Sequence, residues 1–120
     1  MKIAISVNGP DLEAKVDPRF GRAPYFLLVD PESLEYEVLT NGLNLQAAQG
    51  AGIQAAAQVA RHRPVAVLTG NCGPKAFQTL QAAGIRVILG VEGSVREAVQ
   101  NYRAGKLKPA GGPNVTSHWI

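Results

Sequence analysis

The segment PVAVLTGNCGPKAFQTLQAAGIRVIL, residues 64–89, constrains the fold more than any other part of the chain. It reads as a strand at residues 65–69, a helix from Pro74 to about residue 83, and a second strand at residues 86–89. Pro74 suits a first helical position, where its missing N–H costs nothing, and Gly84 supplies the stop. Two strands joined through a helix lie parallel, and the crossover is right-handed. The chain is thereby committed to an α/β sheet.

The other elements are read around that unit. Ile3, Ile5 and Val7 alternate with Lys2, Ala4 and Ser6, which marks a strand at residues 2–7. Strands at residues 25–30 and 35–40 form an antiparallel hairpin, with Asp30 and Pro31 shaping its turn. A helix spans residues 51–62. Its expected apolar stripe is Ile53, Ala56, Ala57 and Ala60, at i, i+3, i+4 and i+7. In the helix of residues 74–83, Ala76, Leu80 and Ala83 share a face, with Phe77 beside them. Ser94 and Glu97 form a capping box for a last helix, which turns Val95, Ala98, Val99 and Tyr102 inward and ends at Gly105. The order βββαβαβα is satisfied by a mixed five-stranded sheet, 3-2-1-4-5, with strand two antiparallel. Residues 1–105 make a single domain, and residues 106–120, with no periodicity and several breakers, an irregular tail.

Composition narrows the function classes. A length of 120 residues with 46% hydrophobic content suits one core. The net charge of +3 admits an anionic ligand, but the chain has no basic block or helix, and aromatics are 6%. Nucleic-acid binding is therefore not expected. A single cysteine excludes an internal disulfide. No apolar run reaches the roughly 20 residues of a membrane span, and a cytoplasmic protein is expected.

In the proposed sheet the loops at residues 8–22, 41–50, 70–74 and 90–93 meet at the carboxyl end of the strands, where open α/β sheets bind ligands. TGNCGPK places backbone N–H groups and a helix N-terminus beside Lys75, a combination that attracts anions. It is not a Walker A loop, which requires GxxxxGK[ST]. Cys72 beside a helix N-terminus has the setting of a nucleophile, but a phosphatase-type loop needs an arginine where Gln78 stands. No CxxC or HxxxH spacing supports a metal cage. In VDPRFGR, Arg19 and Arg22 bring positive charge to the same end, Gly21 permits close backbone approach, and Phe20 anchors the loop. GAGIQAA matches GxGxxA but follows a polar loop, so it reads as a loosened helix entry. A nuclease of ribonuclease H type shares the strand order and needs carboxylates on the central strands. Here those strands offer Ser6 and Thr69, and nuclease activity is rejected.

The runs VDPRFGRAPYF, GAGIQAA, LTGNCGPKAF and SVREAVQNYRAGKLKP, in that order, resemble the dinitrogenase iron–molybdenum cofactor biosynthesis family over nearly the whole chain. The resemblance implies a ribonuclease-H-like α/β fold without nuclease function, and a carrier of a metal–sulfur cluster rather than an enzyme. It further implies a molybdenum–copper sulfide cluster of the S2MoS2CuS2MoS2 type, held non-covalently, and protein partners for its delivery. On this view Arg19, Phe20, Gly21, Arg22, Asn44, Gly52, Asn71, Cys72, Gly73 and Lys75 form the cofactor site, with Gln46 and Gln49 as further donors. Cys72 belongs to a cluster-facing turn as a copper- or sulfur-proximal group. Some carriers of the family place a histidine where Arg19 stands; an arginine there favours electrostatic holding over ligation. Two other readings stand beside this one: a metal-free regulatory or interaction module, and a small enzyme acting on an anionic substrate in the same cleft.

Overall fold

The computed structural model describes residues 1–41 and 50–115. The chain forms β1 (Ile3–Val7), β2 (Tyr25–Val29), β3 (Tyr36–Thr40), α1 (Ala51–Arg61), β4 (Ala66–Leu68), α2 (Pro74–Ala82), β5 (Arg86–Ile88) and α3 (Val95–Arg103), with a 3-10 turn at Phe20–Arg22. The sheet order is β3-β2-β1-β4-β5. β2 is antiparallel to both neighbours, and β1, β4 and β5 are parallel. This is the expected mixed sheet, with each strand trimmed by a residue or two at its ends.

The alternation in β1 sorts side chains between two buried faces. Ala4, with Phe26, Leu28, Val67 and Val87, faces Ala55, Ala56 and Val59 of α1 and Ala76, Phe77 and Leu80 of α2. Ile3, Ile5 and Val7, with Leu27, Val29, Leu68 and Ile88, face Val95, Ala98 and Val99 of α3. A central strand is covered on both sides, so the polar member of the alternation, Ser6, is buried too.

Local chemistry closes the elements. Asp30 Oδ1 accepts the N–H groups of Glu32 (2.8 Å) and Ser33 (3.3 Å) in the hairpin turn. Those bonds favour the ionised carboxylate and lower its pKa. The capping box of α3 is complete, with Ser94 and Glu97 exchanging bonds of 3.1 Å. Gly84 ends the second helix at a φ of 78°.

Two expectations about helix faces need correction. The inward face of α1 is Ala51, Gly52, Ala55, Ala56 and Val59, while Ile53 is 39% exposed. Of the expected stripe, Ala56 is buried and Ala60 packs against the core, whereas Ile53 points outward. Hydrophobicity favours the largest apolar side chain inside, whereas α1 lies so close to α2 and to the Phe20–Arg22 turn that the smallest residues go there. Ala83 is exposed at the end of α2 and does not share the face of Ala76 and Leu80.

The described part of the tail, residues 106–115, holds no helix or strand, but it packs. Leu107 lies against the α3-side core and Ala110 against the other. The Ala110 N–H donates to Val87 O at 2.8 Å. The tail thus crosses the free edge of β5, where an unpaired strand would otherwise face solvent.

The inward face of α1 has a measurable consequence. Val59→Ala should cost about 2 kcal/mol, while Ile53→Ala should cost less than about 1 kcal/mol. Urea denaturation of the two variants checks this, and the reverse order would restore the Ile53 stripe.

Candidate functional site

β1, β3, β4 and β5 run in one direction, so the segments that follow them gather at one end of the sheet. The segment after β1 is fastened first. The Asp17 N–H donates to Ser6 O at 2.8 Å, and Ser6 Oγ donates to Asp17 O at 2.8 Å. A carbonyl can only accept, so Ser6 spends its hydroxyl hydrogen there. The 2.7 Å contact between Ser6 Oγ and Thr69 Oγ1 must then carry the threonine hydrogen. Where a nuclease of this topology would need carboxylates, β1 and the end of β4 hold a satisfied pair of hydroxyls.

The same segment is stitched to the turn after β4. The Asn71 N–H donates to Pro18 O at 2.8 Å, and the Phe20 N–H to Asn71 O at 3.2 Å. Arg19 and Asn71 therefore pair as a short parallel bridge. A Cβ on Gly70 would stand 2.7 Å from Pro18 Cα, so only glycine allows this approach. Phe20 is fully buried and stacks obliquely on Phe26, ring centres 5.1 Å apart. It anchors the loop from beneath and does not face the cleft.

Gly21 sets the second approach. A Cβ there would lie 2.9 Å from both Cα and N of Gly52, which would push the first turn of α1 away. The buried Asn41 steadies this contact by donating from Nδ2 to Gly21 O (3.2 Å) and Ala23 O (2.8 Å). The structure thus brings Arg19, Phe20, Gly21, Arg22, Gly52, Asn71, Cys72 and Gly73 into one continuous region. Lys75 is exposed on the first turn of α2. Asn44, Gln46 and Gln49 lie outside the described residues.

The electrostatics of this region favour anions. α1 and α2 begin at Gly50 and Gly73, without a side-chain cap and without an acidic residue in the first turn. α3 has both. Arg19 keeps about half of its side chain in solvent while its Nε lies 3.9 Å from Asp17 Oδ1. Asp17 Oδ1 also accepts the Arg19 N–H at 2.9 Å, which fixes the backbone entering the turn. Arg22 is half-buried, and its N–H donates to Arg19 O at 3.2 Å.

One expectation about the Asn71–Gly73 turn changes. The N–H groups of Asn71 and Cys72 are not open donors: the first serves Pro18 O, and the second donates to Asn114 Oδ1 at 2.9 Å. The Cys72 side chain points into the core. It is fully buried among the residues that pack beneath α1 and α2, and burial pushes the thiol up to about 12. Desolvation overrides the helix N-terminus that would otherwise favour a thiolate. Among the described residues, no three His, Cys, Asp or Glu side chains come together as a metal site.

Sequence reasoning missed Asp17, Asn41 and Asn114. Asp17 had a local signal, because an Asp two residues before a turn commonly accepts from the backbone. Asn41 and Asn114 had none, since their partners are about twenty and more than forty residues away.

Residues 1–105 match the family model for the dinitrogenase iron–molybdenum cofactor. The chain belongs to that family. Its fold superposes on the apo form of the orange protein from Desulfovibrio gigas with a TM-score of 0.92, at 46% identity over 95% of this chain and 96% of that one. A Thermotoga protein of the DUF35 family gives a TM-score of 0.76 at 34% identity, covering 90% and 91% of the two chains. An uncharacterised protein from Methanocaldococcus jannaschii is 29% identical over 111 residues, 90% of each chain. Family membership supports a role in metal–sulfur cluster binding. Among the described residues, no helix is long and apolar enough to cross a membrane.

The buried thiol is open to a direct test. Its ordinary pKa of 9.0 is raised to about 12, so the folded chain keeps a proton that the unfolded chain releases. Stability from this source is complete below pH 9 and falls as pH rises toward 12, by about 1.4 kcal/mol per pH unit. Urea titrations at pH 8, 9.5 and 10.5 should show a steeper loss in the native sequence than in Cys72→Ala. At pH 8, iodoacetamide should label Cys72 only in denaturant; rapid labelling of the folded protein would place the thiol at the surface.

Proposed function

We propose that this protein holds an anionic metal–sulfur cluster by charge and hydrogen bonding, without a covalent ligand, as a carrier rather than a catalyst. The observation that carries the reading is the meeting of two uncapped, acid-free helix N-termini at the Arg19–Asn71 junction. Such ends present backbone donors and partial positive charge to whatever lies before them.

The specific cargo proposed is a molybdenum–copper sulfide cluster of the S2MoS2CuS2MoS2 type, on the strength of the motifs quoted from the sequence. The residues present fit such a group. A cluster that brings its own sulfides needs no thiolate cage, and the one cysteine is buried. It needs cations and N–H donors, which Arg19, Arg22, Lys75 and the first turns of α1 and α2 supply. Arginine suits this role because its planar guanidinium offers several donors at once. Gly21 and Gly52 hold those turns close, and Phe20 fixes the loop by its burial. The cluster supplies the metal chemistry; the chain binds it, orients it and limits its contact with water. Delivery to an acceptor protein completes the proposed role.

Anaerobic reconstitution tests the reading. Apo-protein is mixed with tetrathiomolybdate and a copper salt, desalted, and assayed for colour and metal content. A retained coloured complex near two molybdenum and one copper per chain supports it; metals that elute apart from the protein overturn it. Replacing Arg19 and Lys75 together by alanine should weaken retention roughly tenfold or more, since each charge-assisted bond is worth about 1.5–3 kcal/mol. The loss should grow with salt for the native protein and less for the variant. Cys72→Ser should retain most of the cluster.

A further inference from the structure

The family match ends at residue 105, and the structure describes ten residues beyond it. One of them, Asn114, makes four hydrogen bonds to three consecutive residues of the site turn. Its N–H donates to Cys72 O (3.3 Å) and its Oδ1 accepts the Cys72 N–H (2.9 Å). Its two Nδ2 hydrogens go to Gly70 O (3.3 Å) and Asn71 Oδ1 (3.0 Å).

The side-chain orientations are forced by chemistry. Asn71 Nδ2 donates to Pro18 O at 3.0 Å, and a carbonyl can only accept. The Asn71 amide oxygen must then point the other way, toward the donor of Asn114. Asn114 Oδ1 is left for the Cys72 N–H. One directional chain of bonds runs from Pro18 through Asn71 and Asn114 to the backbone of Cys72. Each of these bonds alone competes with water. Together they share the entropy cost of ordering a single residue, and the bond from Ala110 to Val87 holds the tail nearby in advance.

We infer that Asn114 is a positioning residue for the candidate site: it locks the Gly70–Cys72 turn that leads into α2 and so makes the tail part of the binding machinery. Its ligand half rests on the function proposed above. Asn114 need not touch the cluster. It fixes the direction in which Gly73 and the first turn of α2 present their donors, and it occupies the Cys72 N–H so that this group is never an unpaired donor beneath the site. Donor direction matters to an anion held by several weak bonds at once, because a misaimed donor leaves only part of the set engaged.

The test has two arms, both on the full chain. In the apo-protein, amide hydrogen exchange is followed at Cys72 in the native sequence, Asn114→Ala and Asn114→Asp. Asn114→Ala should exchange about tenfold or more faster at Cys72, and by a larger factor there than at the core amides of β4. Asn114→Asp keeps the acceptor for the Cys72 N–H but sets its other oxygen against Gly70 O and Asn71 Oδ1, so it should restore protection only in part. Equal exchange at Cys72 in the native sequence and Asn114→Ala would overturn the lock. In the second arm, native protein, Asn114→Ala and Val59→Ala are loaded with tetrathiomolybdate and copper, and metal release into buffer is timed. Asn114→Ala should release metal several-fold faster than the native protein, and faster than Val59→Ala, a core variant that loses stability without touching the turn. Release equal to that of either the native protein or Val59→Ala would overturn the positioning role and leave cluster binding standing. Failure of all three proteins to load would overturn the proposed function and the ligand half of the inference together, while the exchange data would still decide whether the lock exists.

Discussion

The site depends on one backbone contact, the approach of Pro18 to Gly70. It stitches the long segment after β1 to the short turn after β4, through the N–H of Asn71 and the N–H of Phe20. A methyl group on Gly70 would prevent it. The rest follows from that junction. Phe20 drops into the core beneath it, Gly21 is carried against Gly52 at the head of α1, and Arg19 is left at the surface beside Asn71. Glycine is used at these two places because backbone meets backbone there.

Burial then separates residues that look alike in sequence. Cys72 and Lys75 stand three positions apart at the same helix entry, yet one points into the core and the other into solvent. The cysteine becomes a small apolar filler with its thiol protonated, and the lysine stands in solvent. Arg19 and Asp17 divide in the same way: the carboxylate is nearly buried and works on the backbone, while the guanidinium remains half in water. The proposed binding surface is therefore built from cations and helix ends, not from the residue with the most reactive side-chain chemistry.

Capping chemistry follows the same division. α3 has a full capping box and an acid in its first turn, which neutralise its N-terminus. α1 and α2 have neither, and of the three helices that start at the carboxyl end of the sheet they are the two whose entries adjoin the Phe20–Arg22 turn and the Asn71–Gly73 turn. Glycine at both N-caps costs little stability, about a few tenths of a kcal/mol each relative to a side-chain cap. That small cost is consistent with ends kept open for an anion.

The sequence by itself determined the order and type of the elements, the sheet topology, the hairpin turn at Asp30, the capping box at Ser94 and the end of the sheet where a site would form. These rest on local signals: proline and glycine at fixed places, alternation at period two, and the handedness of a crossover. It also placed Arg19, Gly21 and Asn71 in one region. Only the tertiary structure decided which face of α1 turns inward, because small residues are selected by the closeness of a neighbour and not by hydrophobicity. Only it decided that Cys72 is buried, since burial depends on what packs above a turn. The tail was legible as irregular but not as docked. Asn41 and Asn114 reach their partners across long stretches of chain, and such hydrogen bonds leave no periodic trace in the sequence.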